Sequence, residues 1–168
     1  MTEDLPVGIS FTRIFDAPRE VVWREWTEPE AFADWFGGAG AEVPLETVSM
    51  DVRPGGLFRL TMFAGPERRE IQWRGEYREV VEPERLVFAI SDDSDPTRYE
   101  LVRVELRALE DGRTEMGFEQ RGTMAREAYE QAEQGWGAFF ARMDERLAGR
   151  RVEEGDDAFP AGPEDLDQ

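Results

Sequence analysis

Five polar-tipped side chains in otherwise apolar patterns are the residues best suited to bind and orient a small molecule. They are Trp73, Tyr77, Gln120, Trp136 and, depending on its strand register, Glu100. A binding pocket needs a few such donors and acceptors among apolar walls. In a cavity that excludes water, Tyr77, Gln120 or Glu100 could also move a proton.

Each of these side chains also has a purely structural explanation. Gln120 can bond to the backbone at a strand end, which is about as expected as a contact to a ligand. Tyr77 and Trp136 can be core aromatics whose polar atoms are satisfied within the protein. Glu100 fits a solvated strand face better than a pocket wall. The residue types alone therefore leave both explanations open.

The composition removes most other kinds of catalysis. The 168 residues include no His and no Cys, and all 20 basic residues are Arg. The chain therefore has no imidazole for acid–base chemistry near neutral pH and no thiolate nucleophile, and it offers metals only oxygen ligands. The acidic pairs at 92–93 and 153–154 lack the spacing of a calcium loop, and the Pro-Gly-Gly at 54–56 lacks the helix and Lys of a phosphate loop. We predict no metal site, no cofactor and no identifiable catalytic residue.

The formal net charge of −18 bears on partners and location. A field of this sign repels a phosphate backbone, so nucleic acid is not expected as a partner. The longest apolar runs are only a few residues, which is too short for a membrane span, and the acidic N-terminus does not resemble a secretory signal. We therefore expect a cytoplasmic protein without integral membrane association.

A set of mainly apolar residues shares one predicted face of the strands and of the last helix. The strand members follow from a period of two, and the helix members lie on one stripe with steps of three, four and seven residues. Trp35, at the end of the second short helix, is added because it precedes the glycine run. The candidate ligand-binding residues are Trp35, Phe58, Leu60, Met62, Trp73, Tyr77, Phe88, Ile90, Phe118, Gln120, Trp136, Phe140 and Met143. On composition alone, a solid core explains this set better than a pocket lining.

A simple order of elements positions these residues. Alternation over residues 7–15 predicts a first strand, and Pro18 and Pro29 each open a short helix. Residues 43–120 predict strands and turns throughout, and a helical period returns from about Met124 to Leu147. We predict one domain at residues 1–150, followed by an acidic disordered tail at 151–168. Before the glycine run at 37–40, Trp35 could equally form the lip of a pocket or anchor its helix.

Several motifs occur in a characteristic order. They are Arg13, FDAPREVVW at 15–23, WTEPE at 26–30, WF at 35–36, DVRPGG at 51–56, GEY at 75–77, PERLVF at 83–88 and GW at 135–136. This series resembles the START-like (SRPBCC) superfamily, in the subgroup homologous to the activator of the heat-shock-protein-90 ATPase. The resemblance covers about residues 9–148.

The resemblance implies an α+β helix-grip fold. In this fold a curved antiparallel sheet of about seven strands wraps around a long C-terminal helix, and two short helices follow strand 1. Its members keep sheet and helix apart around a cavity, which implies that part of the candidate set lines open space. The superfamily includes lipid-transfer domains, hormone receptors, cyclases, ring-hydroxylase subunits and co-chaperone domains, so the fold alone does not select a function.

We expect a binding or carrier protein for a hydrophobic or amphipathic small molecule, and a non-enzymatic role fits better than an enzymatic one. A polyketide-cyclase-type enzyme is an alternative, because the shape of a cavity can be almost sufficient to fold a reactive chain for cyclisation. A stress-related chaperone accessory protein is a third. The separate N-terminal domain of the eukaryotic co-chaperone has no counterpart here, so contact with a chaperone is unsupported by the residues. A homodimer is compatible with the sequence.

Overall fold

The computed structural model describes residues 5–93 and 97–158, with side chains as far as residue 149. The chain begins with strand β1 (Val7–Phe15), followed by helices α1 (Arg19–Thr27) and α2 (Pro29–Trp35). Pro18 is the extended residue that caps α1, and Pro29 occupies the first turn of α2. The fixed φ angle of proline suits both positions, so the two predicted short helices after the first strand are confirmed.

Seven further strands follow before the last helix. They are β2 (Ala41–Glu42), β3 (Ser49–Met50), β4 (Leu57–Ala64), β5 (Arg69–Val81), β6 (Arg85–Asp92), β7 (Glu100–Ala108) and β8 (Thr114–Arg121). Within residues 43–120, where we predicted only strands and turns, β3 is just two residues long. The cause is local, because a 3₁₀ turn ends at Thr47 and the Arg53–Gly56 turn returns the chain to β4.

One antiparallel sheet contains all eight strands, in the order β1-β8-β7-β6-β5-β4-β2, with β3 also paired to β4. The long strands β4 to β8 form a meander in which neighbours in sequence are neighbours in space. β1 pairs with β8, so the first strand lies beside the last. The predicted α+β helix-grip fold is confirmed; the sheet has eight strands where about seven were predicted, and two of the eight, β2 and β3, have only two residues each.

Helix α3 (Arg126–Ala158) supplies the layer that covers the sheet. Its apolar stripe and the inward residues of β4 to β8 form one buried cluster together with α1 and α2. The alternation is clearest in β8, where Thr114, Met116, Phe118 and Gln120 are all buried and the residues between them are partly exposed. Inward side chains of every long strand therefore meet the helices in a single interior.

The outer face of the sheet carries a small second cluster. Val87, Ala89 and Leu101 are buried there, and Leu5 packs against them. The Arg121 guanidinium donates a hydrogen bond to the backbone oxygen of Leu5, which holds the N-terminal segment over this patch. Because both faces of β6 are covered at this point, its sequence is almost continuously apolar.

The end of α3 differs from the predicted boundary of the domain. Residues 151–158, which we predicted to be disordered, continue the helix to Ala158. These eight residues include Arg, Glu and Ala, which favour a helix, and also Gly and Asp, which do not. The rest of the predicted tail, residues 159–168, lies outside the described residues, and the boundary at residue 150 stays a prediction.

Candidate functional site

The structure brings the predicted ligand-binding residues into one region between the sheet and the helices. Eleven of them are buried members of the single core cluster: Trp35, Phe58, Leu60, Met62, Tyr77, Phe88, Ile90, Phe118, Trp136, Phe140 and Met143. Trp73 is partly buried against that cluster, and Gln120 is a buried polar residue on β8. Whether they line a ligand site stays a prediction.

Aromatic rings fill much of this region. Phe118 lies 4.7 Å from Trp136 and 5.2 Å from Phe140 between ring centroids, and Trp136 stacks on Phe140 at 5.7 Å. These are contact distances for aromatic pairs. Any molecule that enters between the sheet and α3 must therefore move side chains apart.

Trp26 lies at the centre of this aromatic cluster. Its ring is 4.7 Å from that of Trp35, 6.1 Å from Phe140 and 6.2 Å from Trp136, and the residue is only 1% exposed. The indole Nε1 of Trp26 has no hydrogen-bond partner among the described residues, and the buried Nε1 of Trp73 has none there either. A buried donor without an acceptor costs about 1 to 3 kcal/mol, so this region contains donors that would gain from a partner.

A chain of hydrogen bonds leads from this interior to the start of α3. The Trp136 Nε1 donates to Gln120 Oε1 at 2.8 Å, and the Gln120 Nε2 donates to Glu100 Oε1 at 3.0 Å. The Tyr129 hydroxyl donates to the same Glu100 oxygen at 2.8 Å and accepts from the Met124 backbone N–H at 3.2 Å. We call Trp136, Gln120, Glu100 and Tyr129 the polar relay.

Two glycines make room for the outer end of the polar relay. A methyl group at Gly8 would collide with the ring of Tyr129, and one at Gly122 would collide with the carboxylate of Glu100. Burial, together with the hydrogen bond and negative charge of Glu100, raises the pKa of Tyr129 to about 12. Tyr129 therefore remains a neutral donor to Glu100 at physiological pH.

A surface cleft of about 670 Å³ adjoins the polar relay. Its walls come from the start of β1, the end of β8 and the first turns of α3: Pro6, Val7, Gly8, Gly122, Thr123, Met124, Arg126, Tyr129, Glu130 and Glu133. A second surface cleft, of about 440 Å³, lies elsewhere, where Arg19, Glu84 and Arg107 are among its walls. None of the predicted ligand-binding residues is a wall residue of either cleft; the larger cleft reaches the polar relay through Tyr129, which bonds to Glu100.

The three side chains considered for proton transfer are not all brought together. Gln120 and Glu100 are hydrogen-bonded to each other, whereas Tyr77 lies on β5 and packs on Phe58 and Phe88. Three inter-strand steps separate β5 from β8, which is roughly 14 Å. Burial and the negative charge of Asp51 raise the pKa of Tyr77, which keeps its hydroxyl neutral. Glu100, for which we favoured a solvated strand face, is partly exposed; its carboxylate packs against Gly122 and accepts a hydrogen bond from Tyr129.

The opposite end of α3 holds a group of ion pairs. The Arg146 guanidinium binds Glu25 of α1 through two hydrogen bonds of 2.8 and 3.2 Å, and binds Asp34 of α2 at 2.5 Å. Arg142 also binds the Asp34 carboxylate, at 3.2 Å. Glu25 is 4% exposed. We call Glu25, Asp34, Arg142 and Arg146 the ionic clamp, because it fastens both short helices to α3.

The ion pairs of the ionic clamp shift the pKa values of Arg146 and Asp34. Its hydrogen bonds to Glu25 and Asp34 raise the pKa of Arg146. Partial burial acts to raise the pKa of Asp34, but the hydrogen bond from Arg146 and the charges of both arginines outweigh it and lower that pKa. Trp35 belongs to this end as well, since its Nε1 donates to the Glu25 backbone oxygen at 2.7 Å. That bond favours an anchoring role for Trp35 over a lip.

Within the described part of the chain, no group of three or more acidic side chains is arranged to hold a metal ion. The same residues contain no helix that is long and apolar enough to cross a membrane. What the inward-facing region offers chemically is therefore apolar contact, two buried indole donors and one carboxylate fixed by two hydrogen bonds.

The eight-stranded antiparallel sheet, packed against a long C-terminal helix, defines a START-like helix-grip protein. Within that class, residues 16–148 match the family model described as Activator of Hsp90 ATPase homolog 1-like protein, and the chain belongs to this family. The predicted family resemblance is confirmed.

Solved structures with the same fold come from several bacteria. A protein from Nitrosomonas europaea is 24% identical, with 86% of this chain and 96% of that chain covered and a TM-score of 0.74. One from Chromobacterium violaceum is also 24% identical, with coverage of 81% and 94% and a TM-score of 0.72. The AHSA1 protein from Silicibacter pomeroyi is 18% identical, with coverage of 84% and 98% and a TM-score of 0.74. At these identities the likeness shows the fold alone. No curated protein is detectably similar to this chain in sequence.

Proposed function

We propose that this protein binds and carries a hydrophobic or amphipathic small molecule between the sheet and α3, in the cytoplasm. The observation that carries the proposal is the indole Nε1 of Trp26, a donor in the middle of an aromatic interior with no acceptor among the described residues. Apolar walls with a few placed donors are the usual composition of a small-molecule site. The fold of the family, in which sheet and helix face each other, supports the same location.

The unpaired indole N–H of Trp26 costs free energy in the protein without ligand. A ligand with a carbonyl or ether oxygen would supply the missing acceptor in an environment of low dielectric, where a hydrogen bond is strong. The same ligand would bury its apolar body against Phe118, Trp136 and the ring of Trp26. Binding therefore recovers a penalty that the protein carries without ligand.

Room for the ligand comes from side chains that can move at low cost. Met62, Met116 and Met143 contribute to the cluster, and methionine side chains adapt their shape readily. The chain after α2 turns through Gly37 and Gly38, both with positive φ angles of 102° and 70°. This turn packs close to Met62 and Phe139, so a small displacement there opens the edge of the cluster.

The test uses two aromatic probes that differ in one acceptor. We expect 1-acetonaphthone, which has a carbonyl oxygen, to bind several-fold more tightly than naphthalene, as measured by tryptophan fluorescence or calorimetry. Trp26→Phe should remove that preference because it removes the donor. Trp23→Phe is the matched control, since it removes a buried indole from the same helix and leaves Trp26 in place. If neither probe binds, the proposal is wrong.

The polar relay supports a second candidate function, the polyketide-cyclase-type enzyme. Glu100 holds a fixed position beside Gln120, and a carboxylate with an unused acceptor atom could accept a proton from a bound substrate. A Glu100→Gln variant that keeps ligand binding but loses cyclisation of a polyketone substrate would favour this candidate.

A further inference from the structure

The two oxygens of the Glu100 carboxylate differ in the number of hydrogen bonds that they accept. Its Oε1 accepts hydrogen bonds from Gln120 and Tyr129, whereas its Oε2 accepts none from the described residues. An ionised carboxylate has acceptor capacity on both oxygens. Glu100 therefore retains one oxygen that can bind an external donor.

Glu100 is also held in place from two directions. Gln120 bonds it from the interior side, and Tyr129 bonds it from α3. The close approach of Gly122 leaves little room for the carboxylate to turn. A group fixed in this way loses little conformational entropy when it binds a ligand. Such rigidity is a property of a binding group rather than of a freely solvated acid.

The surroundings of Glu100 suit one kind of ligand end. Glu100 is only partly buried and is not itself a wall residue of the larger cleft, but its unused oxygen lies against Gly122, which is one, and therefore at the margin of that cleft. The cleft wall also contains Glu133, while Arg126 pairs with Glu130 at 3.7 Å and Arg98 binds the Thr123 backbone oxygen at 3.2 Å. The Arg98 guanidinium keeps its positive charge because Thr123 is a neutral partner, but the carboxylates of Glu100 and Glu133 outnumber it, and the net charge of −18 adds a negative field.

We infer that the ligand carries an ammonium group or another strong hydrogen-bond donor, which Glu100 binds at the margin of this cleft while the apolar part of the ligand lies toward Trp136. This inference rests on the proposed function and adds the class of ligand, an amphipathic amine. A fatty-acid anion would meet the negative charges of Glu100 and Glu133, and the two arginines at this margin are already engaged, Arg126 with Glu130 and Arg98 with Thr123. The polar relay then connects the bound head group to the aromatic interior through Gln120.

The experiment compares octylamine, octanol and octanoate at neutral pH, by calorimetry on the full chain. The three share one apolar chain and differ in the charge and donor capacity of the head. We expect octylamine to bind most tightly and octanoate most weakly. Glu100→Gln should weaken octylamine binding about tenfold and change octanol binding by about twofold or less, because a charge-assisted hydrogen bond is lost only for the amine.

Glu127→Gln is the matched control. It removes the same charge from an exposed position in the first turn of α3, outside the cleft wall, and should leave octylamine affinity within about twofold. Equal binding of the three octyl compounds, or an unchanged amine preference in Glu100→Gln, contradicts the inference. If acetonaphthone still binds in that case, the proposed function stands without it, whereas failure of every probe removes both. Because the preference is measured first on the unmodified chain, the inference stays testable even if a variant misfolds.

Discussion

Two stretches of α3 differ in what surrounds them: residues 126–137, the relay end, and residues 138–149, the packed end. At the packed end, Phe140 and Met143 are fully buried, Leu147 is nearly so, and the ionic clamp ties this part to α1 and α2. At the relay end, Trp136 is the one buried large residue, and the neighbours are the polar relay and a cleft. We propose that the packed end serves stability and the relay end serves ligand recognition. This division also explains why one helix carries both an apolar stripe and hydrogen-bonding residues.

The largest effect is expected at the packed end. Phe140 is 0% exposed and contacts Phe11, Phe118 and Trp136 through its ring. Phe140→Ala should lower the free energy of unfolding by about 3 to 5 kcal/mol, as large-to-small changes do in close-packed interiors. Urea unfolding followed by circular dichroism measures this change. A loss below about 1 kcal/mol would mean that Phe140 lines open space, and the division of α3 would be wrong.

The ionic clamp should give the next largest effect. Glu25→Gln leaves the Arg146 guanidinium beside a neutral partner in a site where Glu25 is almost fully buried, and should cost about 2 kcal/mol of unfolding free energy. Arg142→Gln is the control, since it removes a clamp arginine from a more exposed pair with Asp34. Its cost should stay below about 1 kcal/mol. Equal costs for the two variants would contradict the special position of Glu25.

A smaller effect is expected at the relay end. Tyr129→Phe removes one hydrogen bond to Glu100 and should lower the unfolding free energy by about 1 kcal/mol. The pKa of this tyrosine is raised to about 12, so its contribution is complete below the unfolded value near 10 and is lost as pH rises toward 12. Stability of the variant should therefore fall less over that range. Tyr99→Phe, at an exposed position, is the control and should keep the alkaline loss.

The smallest effect concerns acid stability. The folded pKa of Asp34 is below its ordinary value of 3.8, so the stability it provides is present above the unfolded pKa and declines as pH falls through the folded one. Asp34→Asn should be less stable than the parent chain at pH 6 and should approach it near pH 3. Urea unfolding at both values measures the gap. A gap that is the same at both would mean that the charge of Asp34 contributes nothing.

The alternation of apolar and polar residues predicted well which side chains face inward from the sheet, because this alternation can be recognised within one strand without knowledge of its neighbours. The ionic clamp could not be predicted from local alternation, since Glu25 and Arg146 are 121 positions apart in the sequence. Nor could local alternation distinguish Trp26 from other helix residues, because its central position depends on how α1 docks on the sheet. The hydrogen bond between Tyr129 and Glu100 likewise depends on the space left by Gly8 and Gly122. In the sequence these two glycines show only that the strand pattern is interrupted.

The most direct test of the division of α3 follows the indole N–H signals of the five tryptophans by ¹⁵N NMR during addition of 1-acetonaphthone. Trp→Phe variants assign the signals. We expect the largest shifts for Trp26 and Trp136, which lie at the proposed site. Trp35, whose N–H is bound to the Glu25 backbone oxygen, should shift much less. A shift of Trp35 equal to or larger than that of Trp26, or no shift of any indole at excess ligand, would contradict the account.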